Sequence, residues 1–292
     1  MSKILITGAS KGIGYDAALH LARAGHAVVA AMRRPAACDL ASVAAAEGLT
    51  ITLAEVDVDS DASVAALFAG AAAAPESLDV LINNAGVYSI NAVEDETIEQ
   101  FAQVMNTNYL GTLRCIKAVV PAWRVRRSGL IINIASIAGH VAGPAAGAYS
   151  ASKFAVEGMS ECLAQEMGAF GVRVAVVEPG IIATPMTLEN LPVCKPGSAY
   201  PHGARMRQFY AATPVDGPAP AVVSEALEGI IDGRITAFRT PVGPDAAPFL
   251  GLRASMSDEA WIGMSDTLDD EVWYDRFQAV SGMDLRPAKA AG

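Results

Sequence analysis

At 292 residues with 52% hydrophobic side chains, much of it alanine, the chain can bury one sizeable core of closely packed helices. A formal charge of −10 argues against a nucleic-acid partner, which would want a basic face, and no run of about eighteen apolar residues marks a membrane span. The four cysteines, Cys38, Cys115, Cys162 and Cys194, lie far apart without C-x-x-C spacing, as free thiols in a reducing compartment would; a cytoplasmic protein is expected.

The N-terminal M-S-K-I-L-I-T-G enters a strand almost at once, which leaves no room for a signal peptide. K-I-L-I-T (3–7), A-V-V-A-A (27–31), T-I-T-L-A-E-V (50–56) and D-V-L-I-N (79–83) read as buried strands. G-L-I-I-N-I-A (129–135), R-V-A-V-V-E (173–178) and R-I-T-A-F-R (234–239) continue the series. Between them, 13–24, 61–73, 98–124, 149–169 and 220–231 read as helices. Continuous apolar strands alternating with helices predict an α/β fold, a Rossmann-type doubly wound parallel sheet with helices on both faces. With no repeat and no linker, residues 1–292 form a single domain with its core at about 3–242. Residues 185–220 are Pro-rich and irregular, like an inserted loop or lid. From 244 to 292 an acidic extension carries Trp261, Trp273 and Tyr274, which could serve an interface, a pocket or simple packing.

The first strand runs into T-G-A-S-K-G-I-G, with glycines at 8, 12 and 14. Glycines allow a tight turn, and the helix that follows offers unpaired N–H groups and a positive dipole end to a pyrophosphate. A plain glycine turn would look the same. At the end of the second strand, where an NAD site carries an acid for the ribose hydroxyl, stands Met32, followed by Arg33 and Arg34. Lys11 lies in the phosphate loop on the same side. Cations there suit the 2′-phosphate of NADP(H) and favour it over NAD(H); solvated surface charge is the plainer alternative. Asp57 and Val58, ending the third strand, would then sit beside the adenine.

Further along, Tyr149 precedes Lys153 by one helical turn, with Ser136 upstream. Free tyrosine ionises near pH ~10, and a shift of about three units requires about 4 kcal/mol of preference for the phenolate. A unit positive charge at about 4 Å, with an effective dielectric near 20, supplies about that much. The spacing therefore predicts that Lys153 makes the Tyr149 proton labile.

T-G-x-x-x-G-x-G (7–14), N-N-A-G (83–86), Asn108, Ser136, Y-x-x-x-K (149–153) and P-G-I-I-A-T (179–184) follow in order. Each falls at the carboxyl end of an expected strand or the start of a helix. On these motifs the chain resembles the short-chain dehydrogenase/reductase family over about residues 3–242. The resemblance implies that Gly8, Gly12 and Gly14 shape the pyrophosphate loop, with contacts from Ser10 and Ile13. It implies that Asn84, Ala85 and Gly86 border the adenine ribose and firm up the sheet. Asn108 would hold a water connected to Lys153, Ser136 would position the substrate oxygen, and Tyr149 would exchange the proton. Lys153 would bind the nicotinamide ribose, while Pro179, Gly180, Ile182 and Thr184 cradle the nicotinamide ring and its carboxamide. The implied enzyme is an NADP(H)-dependent carbonyl reductase or alcohol dehydrogenase, a homodimer or homotetramer through helices 98–124 and 149–169. No metal is assigned. One departure is Ala135, where the family often has serine.

Selectivity for a small carbonyl or alcohol should come from 137–146, Tyr88 and the lid, with Met186, Leu188, Leu191, Val193, Met206, Phe209 and Tyr210. These apolar residues suit a hydrophobic substrate, or merely pack the lid. His140 could touch substrate or be solvated. The A-A-M-R-R strand end and long extension are similar to the steroid- and retinol-dehydrogenase-like part of the family. Competing readings are a catalytically silent NADP(H)-sensing regulator, which would often lose one of the four catalytic residues, and a lyase or epimerase, which usually has a longer substrate domain.

Overall fold

The computed structural model describes residues 1–188, 194–212 and 217–286. Seven parallel strands form one sheet: β1 (Lys3–Thr7), β2 (Ala27–Met32), β3 (Ile51–Glu55), β4 (Val80–Asn83), β5 (Gly129–Ile134), β6 (Val172–Pro179) and β7 (Arg239–Val242). Their order, β3-β2-β1-β4-β5-β6-β7, reverses direction of growth between β1 and β4, the crevice where doubly wound sheets bind ligands. The expected fold class is thus observed, on one sheet and in one domain.

Successive residues of each strand face opposite layers. Ile4 and Ile6 pack with α1 (Gly12–Arg23), α2 (Leu40–Glu47) and α9 (Ala221–Ile231), through Leu19, Leu21, Leu40, Val223 and Leu227. Leu5 and Leu81 face the other layer, where α3 (Asp61–Ala69), α5 (Gly111–Arg126) and α6 (Gly147–Gly168) contribute Phe68, Val119, Trp123 and Leu163. Both faces being covered, the strands had to read as unbroken apolar runs.

Three elements differ from expectation. The seventh strand lies at Arg239–Val242, not 234–239. The Ile235 N–H donates to the Gly229 carbonyl at 2.7 Å, so this stretch closes α9 before the sheet begins. Pro241 is tolerated in β7 because that strand is an edge, paired only with β6. Helix α2, ended by Gly48 at φ 66°, is an additional element between β2 and β3 that the apolar pattern does not predict. The single helix expected at 98–124 is α4 (Ile98–Met105), a π-turn at Asn106–Leu110, and then α5. The inserted segment holds α7 (Pro185–Leu188) and α8 (His202–Ala212); the extension folds as α10 (Ala246–Ser255), α11 (Asp258–Gly263) and α12 (Asp270–Ser281). Among the described residues, no helix is long and apolar enough to cross a membrane.

Candidate active site

The β1–α1 loop shows why its glycines are needed. Gly8 and Gly12 sit at φ 69° and 60°, where side chains are strained. A Cβ on Gly14 would lie 2.5 Å from Asn84 Nδ2 and 2.6 Å from the Gly8 carbonyl oxygen, so it could not be accommodated. Asn84 staples the two loops together: its Nδ2 donates to the carbonyls of Thr7 (3.0 Å) and Gly8 (3.2 Å). The backbone N–H groups of Asn84 and Ala85 in turn donate to the Thr7 hydroxyl. Helix α1 follows Lys11, which makes no side-chain cap, and has no acid in its first turn. Its leading N–H groups and dipole are therefore directed at the crevice without internal competition, the arrangement an anion such as pyrophosphate requires.

The loop opens into a cavity of about 630 Å³. It is lined by Gly8, Ser10, Lys11, Gly12, Ile13, Arg33, Asp57, Val58, Asn84, Ala85 and Gly86 at one end. Ser136, Tyr149, Lys153, Pro179, Gly180, Ile182 and Thr184 line it further in. Two of the expected site residues, Gly14 and Asn108, do not line it; both act on the walls from behind. Met32 is buried at the end of β2, and Arg33 and Lys11 stand at the rim with no ion-pair partner among the described residues. An acid at that rim is Asp57, whose carboxylate accepts the Asp59 backbone N–H at 3.1 Å. The residues fit a nicotinamide dinucleotide: glycines where bulk is forbidden, free helix N–H groups, and unspent cations beside the adenosine end.

The π-turn between α4 and α5 aims Asn108 inward, a use to which such turns are often put. Its Oδ1 accepts the Val87 N–H at 2.8 Å, and its Nδ2 donates to the Val87 carbonyl (3.0 Å) and Ser152 Oγ (2.9 Å). Asn108 thereby pins the β4 loop to α6, the helix that carries Tyr149 and Lys153. Ser136 follows β5, its Oγ accepting the Ala138 N–H and donating to the Pro179 carbonyl at 3.3 Å. Lys153 is buried, and its Nζ donates to the Ile134 carbonyl at 2.8 Å. That Nζ lies 5.6 Å from the centre of the Tyr149 ring.

These positions correct the simple electrostatic expectation for Tyr149. Burial raises its phenol above the ordinary value of 10.0, nearby Tyr210 adds to the rise, and a hydrogen bond with Ser136 opposes it. Tyr149 keeps a little surface open to the cavity but is surrounded by protein, so its anion is poorly solvated. A neighbouring charge alone does not account for this loss of water around the phenolate. Lys153 suffers the same effect with the opposite sign: burial lowers it to about 8, partly offset by Glu157.

His140 neither touches the cavity nor stands in solvent alone. Its Nε2 lies 3.0 Å from Glu178 and 3.6 Å from Glu157, two buried carboxylates behind Lys153. Burial and the neighbouring Glu157 raise Glu178 above its usual range. The three ligand atoms are within 4.8 Å of one another, a spacing that a cation accepts, but Arg239 Nε already meets Glu157 at 3.0 Å and supplies the countercharge.

The inner wall of the cavity comes from the lid and extension. Met186, Met206, Phe209 and Tyr210 line it as expected; the Leu188 side chain, Leu191 and Val193 lie outside the described residues. Of the three roles open to the extension, the pocket is one it fills: Phe249, Trp261, Met264, Trp273 and Phe277 all line this cavity. Trp261 Nε1 donates to the Ala142 carbonyl at 2.9 Å, tying α11 to the loop after Ser136. Arg205, buried in α8, donates to Asp270 (2.8 Å) and the Thr267 carbonyl (2.7 Å), which clamps the lid to α12. The aromatic content of the acidic tail was the available signal.

Residues 2–192 match the family model for short chain dehydrogenase. A 3-ketodihydrosphingosine reductase of Bacteroides thetaiotaomicron is 37% identical over 246 residues, covering 82% of this chain and 87% of that protein. Retinol dehydrogenase 8 of Bos taurus is 32% identical over 265 residues, 86% of this chain and 84% of its own. The crystal structure of a short-chain dehydrogenase from Streptomyces avermitilis superposes with a TM-score of 0.78 at 30% identity, covering 91% of this chain and 99% of the other. With the sheet order, the glycine loop and the Ser136, Tyr149 and Lys153 constellation in one crevice, the chain belongs to the short-chain dehydrogenase/reductase family of oxidoreductases.

Proposed function

We propose that this protein is an NADP(H)-dependent oxidoreductase that interconverts a carbonyl and a secondary alcohol on a hydrophobic small molecule. The observation that carries the proposal is one cavity joining Lys11 and Arg33, which have no ion-pair partner among the described residues, to Ser136, Tyr149 and an aromatic wall beyond. When bound, the dinucleotide supplies or accepts the hydride at the carbonyl carbon. Gly8, Gly12 and the α1 N-terminus would hold its pyrophosphate, and Arg33 with Lys11 its 2′-phosphate. Lys153 would meet the nicotinamide ribose.

Ser136 positions the carbonyl oxygen with its hydroxyl, and Tyr149 delivers a proton to that oxygen as negative charge builds there. The upward shift of Tyr149 suits this direction: a buried phenol is fully protonated at neutral pH and ready to donate to a much more basic alkoxide. Oxidation needs the phenolate, so it needs positive charge nearby; Lys153, titrating at about 8 in a buried setting, supplies it at neutral pH.

Leu110, Val125 and Phe154 are exposed on the π-turn, α5 and α6, where a homodimer or homotetramer would cover them. The four cysteines are all free, in keeping with a cytoplasmic setting. A panel of aryl, alkyl and polycyclic ketones and secondary alcohols, assayed by nicotinamide absorbance with each cofactor, tests the reading. NADPH-driven reduction of apolar ketones is expected. Dinucleotide binding with no turnover of any carbonyl or alcohol would favour the silent regulator instead.

A further inference from the structure

Beside Tyr149 the cavity holds two more tyrosines that the proton-transfer chemistry does not use. Tyr88, on the loop after β4, lies edge-on to the Tyr149 ring with centres 4.5 Å apart. Tyr210, from α8, meets Tyr88 hydroxyl to hydroxyl at 2.9 Å. Both rings line the cavity. Burial raises the phenols of both, so both are neutral and each carries one O–H. Their mutual hydrogen bond consumes one of those two protons. Among the described residues neither hydroxyl has another hydrogen-bond partner, so one O–H donor of the pair is left over in a largely apolar chamber. The hydrogen bond that does form polarises the pair and strengthens the remaining donor.

We propose that the Tyr88–Tyr210 pair is a second recognition point, which binds a hydrogen-bond-accepting oxygen carried by the substrate a few bonds from its reacting carbonyl, as in a β-keto ester or β-diketone. This rests on the carbonyl-reductase reading above. Tyr149 and Ser136 take the first oxygen and the phenol pair takes the second. The two contacts together orient an otherwise featureless apolar molecule. A plain ketone would leave the spare donor unpaired in a desolvated site, which is the situation in which hydrogen-bonding pockets reject analogues most strongly.

The test compares the ethyl ester of a straight-chain β-keto acid with the unbranched ketone of equal chain length that lacks the ester oxygens. Binding is read by quenching of Trp261 and Trp273, both on the cavity wall, and turnover by nicotinamide absorbance. Wild type should bind the ester at least about tenfold more tightly, and the double variant Tyr88→Phe/Tyr210→Phe should reduce that preference to within about twofold. The single variant that loses more identifies the hydroxyl holding the spare proton. Equal affinity for the two compounds in wild type, or a preference that survives the double variant, overturns the proposal. If the double variant does not fold, the wild-type ratio and Tyr88→Phe alone decide it. A binding preference without turnover of either compound would overturn the reductase reading and leave the recognition point standing; turnover of both with equal kcat/KM would do the reverse.

Discussion

The two ends of the cavity are built on different principles. At the cofactor end the chain presents backbone: glycines at positive φ, uncapped N–H groups, and an asparagine that ties two loops through main-chain carbonyls. At the substrate end it presents side chains from distant segments, with Tyr88, Phe209, Phe249, Trp261 and Trp273 converging from one loop and four separate helices. Backbone chemistry tolerates little variation, because a single Cβ at Gly14 would collide with its neighbours. Side-chain packing admits many solutions. The glycine loop is thus set by the shape of the main chain, whereas the far wall of the cavity is set by side chains that other packings could replace.

If the ends are separable, substitutions at the seam should affect chemistry alone. Tyr149→Phe is expected to lower kcat by about a thousandfold or more while NADPH affinity stays within about twofold, measured by steady-state kinetics and calorimetry. Lys153→Met, also at the seam, should abolish turnover yet raise stability. Because burial lowers Lys153 from 10.5 to about 8, its charged form opposes folding below pH 8. The penalty is of order 3 kcal/mol before the lost bond to the Ile134 carbonyl is counted, and it fades as pH rises from 8 towards 10.5. Denaturant melts across that range should show the variant's advantage shrinking; an advantage that grows with pH would contradict the sign.

At the cofactor end, Arg33→Asp should shift the NADPH/NADH ratio of kcat/KM towards NADH by about tenfold or more, with substrate KM unmoved. At the substrate end, Trp261→Ala should raise substrate KM by about tenfold and leave the cofactor ratio alone, since it removes an aromatic wall and the tie to Ala142. Crossed effects from either variant would show that the two ends are coupled through the lid.

The same contrast explains what could be read in advance. Strands covered on both faces announce themselves as apolar runs, and the glycine loop, Ser136, Tyr149 and Lys153 stand at intervals that turns and helices dictate. The π-turn at Asn106–Leu110 left no composition signal, since its residues continue a helical pattern. R-I-T-A-F-R looked like a strand because a short apolar run has no period long enough to distinguish it from a helix exit. The ion pairing of His140 left no local signal, because its partner Glu178 is remote in sequence and hidden near the end of an apolar strand. The role of the tail needed three-dimensional closure: nothing local to Trp261 says that Ala142 will be its partner. The direction of the Tyr149 shift was missed for a related reason, as helical spacing reports the neighbouring charge but not the loss of water.

The central claim is that burial holds the Tyr149 proton in the resting protein and that positive charge releases it when the reaction needs a base. The most direct measurement is a carbon-13 titration of ring-labelled tyrosine, with Tyr149 assigned by its absence in Tyr149→Phe, carried out alone and with saturating NADP⁺. The Tyr149 signal should stay that of a neutral phenol beyond pH 10.0 in the free protein and titrate at distinctly lower pH with the oxidised cofactor bound. A free-protein titration below that of ordinary tyrosine, or one that ignores the bound cofactor, would contradict the account.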